Sequence, residues 1–266
     1  MLTKLLKYEY KATGRIFLPL YAVLLVFAAI NKILLSLNTS RFELPQGISM
    51  FLYVAMIIAI FVITVVVTIQ RFYRNLLSDE GYLMFTLPVK TWQHIVSKLL
   101  VSASWVILSV IIAFGSIFIV AYERGLFGDI VSQLSLLFDT MDAYLGSGHL
   151  AILSTELIAG ILIGLFTSSL MLYAAIAVGH MAPNHKLLVS FGAFLGLNTV
   201  TQIIVGIISF YTLPGTIEFI SSVEEPIIPA NLESLLLVYL ILIPLAFGAA
   251  FYALTTFILN KKLNLE

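Results

Sequence analysis

Apolar residues fall in runs of about 20 along this chain, without the strict alternation of a half-buried strand and with little polar interruption inside each run. Six runs stand out, over residues 16–37, 49–70, 99–121, 151–179, 187–211 and 235–260. A helix of that length covers a hydrocarbon core of roughly 30 Å. Only helices and closed barrels satisfy every backbone donor and acceptor in lipid, and continuous runs without a period of two select helices. The pattern predicts an all-α integral membrane protein with six transmembrane helices, organised as a single transmembrane domain over residues 1–266.

Composition enforces the same choice. The chain is 61% hydrophobic and 11% charged, against about 45–50% and about 25% in soluble domains. Too few charges remain to give a soluble fold of this length its polar shell. The formal net charge of +0 offers nothing to nucleic acid, and with no cysteine disulfides, thiolate metal sites and thiol nucleophiles are excluded. After the first apolar run come Asn38, Thr39, Ser40 and Arg41 in place of a small-residue cleavage pattern, so a retained span is expected and not a signal peptide.

Charge becomes informative once it is assigned to connections. Lys4, Lys7, Lys11 and Arg15 precede the first span; Arg71, Arg74, Lys90 and Lys98 lie in the second connection, Lys186 in the fourth, and Lys261 and Lys262 follow the sixth span. The odd-numbered connections carry only Arg41 and Arg124, with most of the acids: Glu43, Glu123, Asp129, Asp139, Asp142, Glu218, Glu224, Glu225 and Glu233. Lysine and arginine are retained on the cytoplasmic side, so both termini are expected inside and the protein is expected in the cell membrane as a multi-pass chain.

Two cytoplasmic stretches carry further pattern. In residues 2–15, Lys4, Lys7, Lys11 and Arg15 share one stripe at i, i+3 and i+4 spacing, with Leu2, Leu5, Leu6, Ala12 and Thr13 opposite. That predicts an N-terminal amphipathic helix at the membrane interface, its apolar side in lipid and interrupted by Glu9. Residues 71–98, RFYRNLLSDEGYLMFTLPVKTWQHIVSK, are too long and too apolar for a plain turn. Ser78 is positioned to cap a short helix with Asp79 and Glu80 in its first turn, Pro88 stops it, and Thr91 is positioned to cap the helix that enters the third span. The short helix exposes Tyr82, Met84 and Phe85, the kind of surface that meets either membrane or a protein partner.

This segment resembles the coupling region of the type 2 permease family of ATP-binding-cassette (ABC) transporters. In that family a glycine followed by apolar residues, a Thr-Leu-Pro-like turn and a downstream lysine lead into the third span. The amphipathic N-terminus and the six-span layout are similar to it as architecture. The resemblance implies a permease paired with a second copy or a paralogue. It also implies separate ATP-binding subunits that dock on the short coupling helix between spans two and three, at Asp79, Glu80, Gly81, Tyr82, Met84, Phe85 and Pro88. ATP and Mg would sit on those partners, because no GxxxxGK[ST] occurs here and the chain lacks the phosphate cradle. The expected function is coupling of the partner's ATP hydrolysis to outward movement of a hydrophobic or amphipathic solute, with no enzyme activity on this chain.

Inside the spans, Asn198, Thr201 and Gln202 share one face of the fifth run, read as a helix contact first and a substrate pathway second. Gly160 with Gly164 and Gly192 with Gly196 have close-approach spacing. Lys32 and Glu156 are expected near the outer ends of their helices, each snorkelling to the head groups in preference to pairing. The outer connections 123–150 and 212–234 are long enough for short helices, re-entrant or lid-like. Rival classes are weaker. The four histidines form no HExxH, which argues against a metalloprotease. The two groups of three spans lack the self-similarity of a secondary transporter, while a non-transporting assembly or immunity protein stays open.

Overall fold

The computed structural model describes residues 2–37, 43–77, 89–122, 126–145, 149–212, 235 and 237–261. Its elements are α1 (Leu2–Leu37), α2 (Glu43–Leu76), α3 (Thr91–Ala121), α4 (Leu126–Leu145), α5 (His149–His180), α6 (Lys186–Thr212) and α7 (Ile243–Lys261), the last entered through a π-helical turn (Val238–Leu242). There is no strand among the described residues. Six helices are long and apolar enough to cross a membrane, and each coincides with one of the six runs. α4 is not among them.

Most of these helices outrun the predicted spans. α1 has 36 residues, about 54 Å at 1.5 Å per residue, well beyond a hydrocarbon core of about 30 Å. Residues 2–15 and the first apolar run thus form one continuous helix. Gly14 stays helical, and Glu9 and Thr13 are buried on the same helix side as Phe17 and Tyr21. The predicted apolar side packs on protein, while Lys4, Lys7, Lys11 and Arg15 remain exposed as the stripe required. A correction concerns the start of α3: Lys90, at φ −70 and ψ 143, occupies the cap position without a side-chain cap bond, and Thr91 is already helical. Within the connection between the third and fourth spans, α4 is a single 20-residue helix. The expected coupling helix at 79–88 and the expected external elements at 213–234 lie outside the described residues.

The chain divides into two compact units, Met1–Phe127 and Gly128–Glu266, with α4 straddling the boundary. In the first unit α1 packs on α2 and α3, and α2 packs on α3. Its core runs through Phe17, Tyr21, Leu24 and Ala28 of α1, Tyr53, Ile60 and Val67 of α2, and Val101, Trp105 and Val120 of α3. In the second unit α5 is the common partner of α6, α7 and the π turn. Pro244 has no N–H to return to the preceding turn, and the helix accommodates it by widening, with the Ile243 N–H donating to the Val238 carbonyl. Where this wide turn meets α5 there is no room for a side chain: a Cβ on Gly160 would lie 2.8 Å from Leu240 Cβ. At the other end of α5, a Cβ on Gly179 would lie 2.5 Å from Ser190 Cα, so the tight turn into α6 needs glycine there. His185, at φ 55, takes the left-handed conformation just before α6 begins.

Candidate functional site

Among the described residues, the strongest concentration of buried charge lies where α1, the end of α2 and the start of α3 come together. Glu9 sits in the third turn of α1, Arg71 near the end of α2, and Lys98 in the third turn of α3. Lys98 Nζ is 2.5 Å from Glu9 Oε1, and Arg71 Nε is 3.6 Å from Glu9 Oε2. The Lys98 side chain is 3% exposed and that of Glu9 9%, whereas Arg71 is 28% exposed and reaches toward solvent. His94, one turn before Lys98, is buried at 1%.

Such a pair does little for net stability, because desolvation of both ions offsets most of their attraction. Removing one partner is another matter, costing about 3–5 kcal/mol by stranding the other charge. The cluster therefore works as a positional lock. It fixes the first turns of α1 against both helices that border residues 78–88, in the one place where the sequence left an acid on an apolar stripe.

From this lock a ladder of hydrogen bonds continues along the bundle. Thr13 Oγ1 donates to the Glu9 carbonyl at 2.7 Å and accepts from Trp105 Nε1 at 2.8 Å. Tyr10 Oη donates to Ser104 Oγ at 2.7 Å, and Phe17 stacks on Trp105 with ring centroids 4.6 Å apart. One turn on, Tyr21 Oη and Thr64 Oγ1 converge on Ser109 Oγ at 2.7 and 3.2 Å. Tyr53 Oη meets Ser116 Oγ at 2.9 Å, and Asn31 Nδ2 donates to the Ser49 carbonyl at 3.2 Å. Apart from the Thr13–Glu9 bond within α1, every rung joins two helices, and α1, α2 and α3 all contribute.

The residues singled out from sequence divide into three groups. Asp79, Glu80, Gly81, Tyr82, Met84, Phe85 and Pro88 lie outside the described residues, although Arg71 and Lys98 on either side of them belong to the lock. Asn198, Thr201 and Gln202 do share a face of α6, and their polar groups are satisfied along the helix itself. Gln202 Nε2 donates to Asn198 Oδ1 at 3.2 Å, and Thr201 Oγ1 donates to the Leu197 carbonyl at 2.8 Å. Gln202 is exposed, with Asn198 and Thr201 half-buried. Of the small residues, Gly160 makes its close approach, while Gly164, Gly192 and Gly196 face open space.

Lys32 and Glu156 do not behave as expected. Lys32 Nζ donates to the Tyr122 carbonyl at the C-terminal cap of α3, with the ammonium 5.9 Å from the Tyr122 ring centroid. The negative end of a helix dipole is a natural counterpart for that charge. Glu156 is buried at 9% in place of snorkelling, and its Oε2 makes no hydrogen bond among the described residues.

Sequence reasoning missed the lock itself. The signal was present: Glu9 on the wrong side of an amphipathic stripe, and Lys98 at the edge of an apolar run. Nothing in one dimension said that these residues, 89 positions apart, meet. Among the described residues no group of three His, Asp or Glu is placed to hold a metal ion. Comparison with protein-family models, with curated proteins and with solved structures found no match.

Proposed function

We propose that this chain is the permease subunit of an ATP-driven exporter of the ABC type 2 class, lying in the cell membrane with both termini on the inner side. Residues 79–88 receive a separate ATP-binding subunit, which holds the ATP and Mg, and a second copy or paralogue completes the translocation unit. The solute carried outward is hydrophobic or amphipathic.

One observation supports this reading above the others. The Glu9–Lys98–Arg71 lock ties the first turns of α1 to the two helices that precede and follow residues 78–88 in the chain. A push on that segment therefore moves α1, α2 and α3 together, because bending one helix alone would require pulling apart a buried ion pair. A passive connector needs no such arrangement. The six membrane-length helices and the resemblance in residues 79–98 agree with the same reading.

The test is co-purification of the tagged chain with a candidate ATP-binding subunit, followed by ATPase assay in nanodiscs. The wild-type chain is expected to bind that subunit and stimulate it. Gly81→Asp and Phe85→Asp should abolish the stimulation with membrane insertion intact. Failure to capture any ATP-binding subunit would favour a non-transporting assembly or immunity protein, and unchanged stimulation in both variants would remove 79–88 as the docking site.

A further inference from the structure

Among the described residues, helix α4 presents an amphipathic surface whose apolar stripe is exposed. Ile130, Val131, Leu134, Leu137, Phe138 and Met141 form one stripe at i, i+3 and i+4 spacing, and all six side chains are between 39% and 56% exposed. The opposite face carries Asp129, Ser132, Gln133, Asp139 and Thr140, with Leu136, 63% exposed, among them. The hydroxyls of the helix are bonded within it. Ser132, Ser135 and Thr140 donate to the helix's own carbonyls of Asp129, Ser132 and Leu136 at 2.9, 2.9 and 2.6 Å.

The position of α4 in the chain restricts what can cover the stripe. Four residues separate it from the end of α3 and three from the start of α5, connections that span at most about 18 and about 14 Å when fully extended. Both ends are thus held close to the ends of two membrane-length helices. Those helices themselves present exposed apolar side chains on the adjoining turns, Ile117 and Phe118 on α3 and Ile152 on α5. α4 does not itself cross. It holds Asp129, Asp139 and Asp142, and a crossing would carry Lys186, Lys261 and Lys262 to the outer side against the distribution of basic charge.

We infer that α4 lies along the outer membrane surface with its Ile130–Leu134–Leu137–Met141 stripe in the acyl boundary, covered by lipid with zwitterionic head groups. The head-group class follows from charge: residues 126–145 contain three aspartates and no lysine, arginine or histidine. An anionic surface repels that face, whereas a zwitterionic one leaves burial of the apolar stripe as the governing energy. The inference stands apart from ATP coupling, since it uses only the membrane-crossing neighbours and the helix's own faces.

Because the chain has no cysteine, one introduced thiol carries one label. The full-length variants Leu134→Cys, Met141→Cys, Ser132→Cys and Asp139→Cys, each labelled with an environment-sensitive fluorophore, are compared in phosphatidylcholine nanodiscs. Labels at positions 134 and 141 should shift to the blue and lose emission to a doxyl-labelled lipid, while those at 132 and 139 should lose emission to aqueous iodide instead. Replacing part of the phosphatidylcholine by phosphatidylglycerol should reduce the lipid quenching at 134 and 141. Labels at 134 and 141 spared by both quenchers would mean that protein covers the stripe, either a second copy or this chain, and would overturn the assignment. So would equal iodide quenching at all four positions. Lipid quenching that is unchanged or stronger with phosphatidylglycerol would overturn the head-group class.

Discussion

In Met1–Phe127 the helices meet through a ladder of hydroxyls, an indole, an amide and an ion pair; in Gly128–Glu266 they meet mainly through glycines, alanines and a widened turn, with hydroxyl bonds from Thr167 to the Pro244 carbonyl and between Thr212 and Tyr239. Both are three-helix arrangements of membrane-length helices, so the bilayer's demand is the same in each. Lipid tails are as apolar as the side chains that would pack, which leaves close contact and polar bonds as the two means of association. The first unit relies on directional bonds that fix rotation and register. The second relies on removing side chains so that backbones approach, as at Gly160 and Gly179, and it leaves α6 with no buried residue. On the proposed reading, a bundle that transmits a push benefits from register fixed by bonds, and the open surface of α6 is where a second permease copy or paralogue would meet it.

The contrast can be broken by substitution. Lys98→Met, which leaves the buried Glu9 with only the more distant and partly exposed Arg71 as counter-charge, should have the largest effect, a loss of up to about 3–5 kcal/mol in detergent unfolding. The double variant Glu9→Gln/Lys98→Met should recover most of it. A single-variant loss below about 1 kcal/mol, the range of exposed ion pairs, would mean that the pair is solvated and no lock. In the second unit, Gly160→Ala should cost about 1–3 kcal/mol through overpacking against Leu240, whereas Gly164→Ala, facing open space, should be close to neutral. Equal costs at the two positions would deny the close approach.

Smaller effects sharpen the picture. Trp105→Phe keeps the stacking on Phe17 but loses the bond to Thr13, so a loss of about 0.6–1.7 kcal/mol is expected, the span found for polar bonds between membrane helices. Asn198→Leu should change unfolding by less than about 0.5 kcal/mol, as for a surface site, since its amide pairs with Gln202 on the same helix. If that variant nevertheless lowers substrate-stimulated ATPase activity, the α6 face belongs to the pathway or to the contact between permease copies.

How far the sequence reached depends on the range of the interactions concerned. The six runs became six helices because crossing a hydrocarbon core is a local demand: 20 or so residues must each be apolar and bond their backbone within the segment. The exposed basic stripe of Lys4, Lys7, Lys11 and Arg15 is legible for the same reason, being a matter of helical period alone. The continuity of α1 was not. Whether residues 2–15 lie on the membrane or extend the span depends on partners for Glu9 and Thr13, and those are Lys98 and Trp105 on another helix. Lys32 shows the same limit, since the acceptor that holds it is the final carbonyl of α3.

Taken alone, the order of residues determined that the chain is helical, how many helices can cross a bilayer and which turns carry positive charge, because each of these follows from transfer energies summed within one segment. Only the tertiary structure decided that an acid on an apolar stripe is a lock, that one glycine of a spaced pair is needed and its neighbour is not, and that α4 is left with a bare apolar side. Those outcomes depend on which atoms from distant segments come within a few ångströms, where a buried charge or a single methyl group is worth kilocalories.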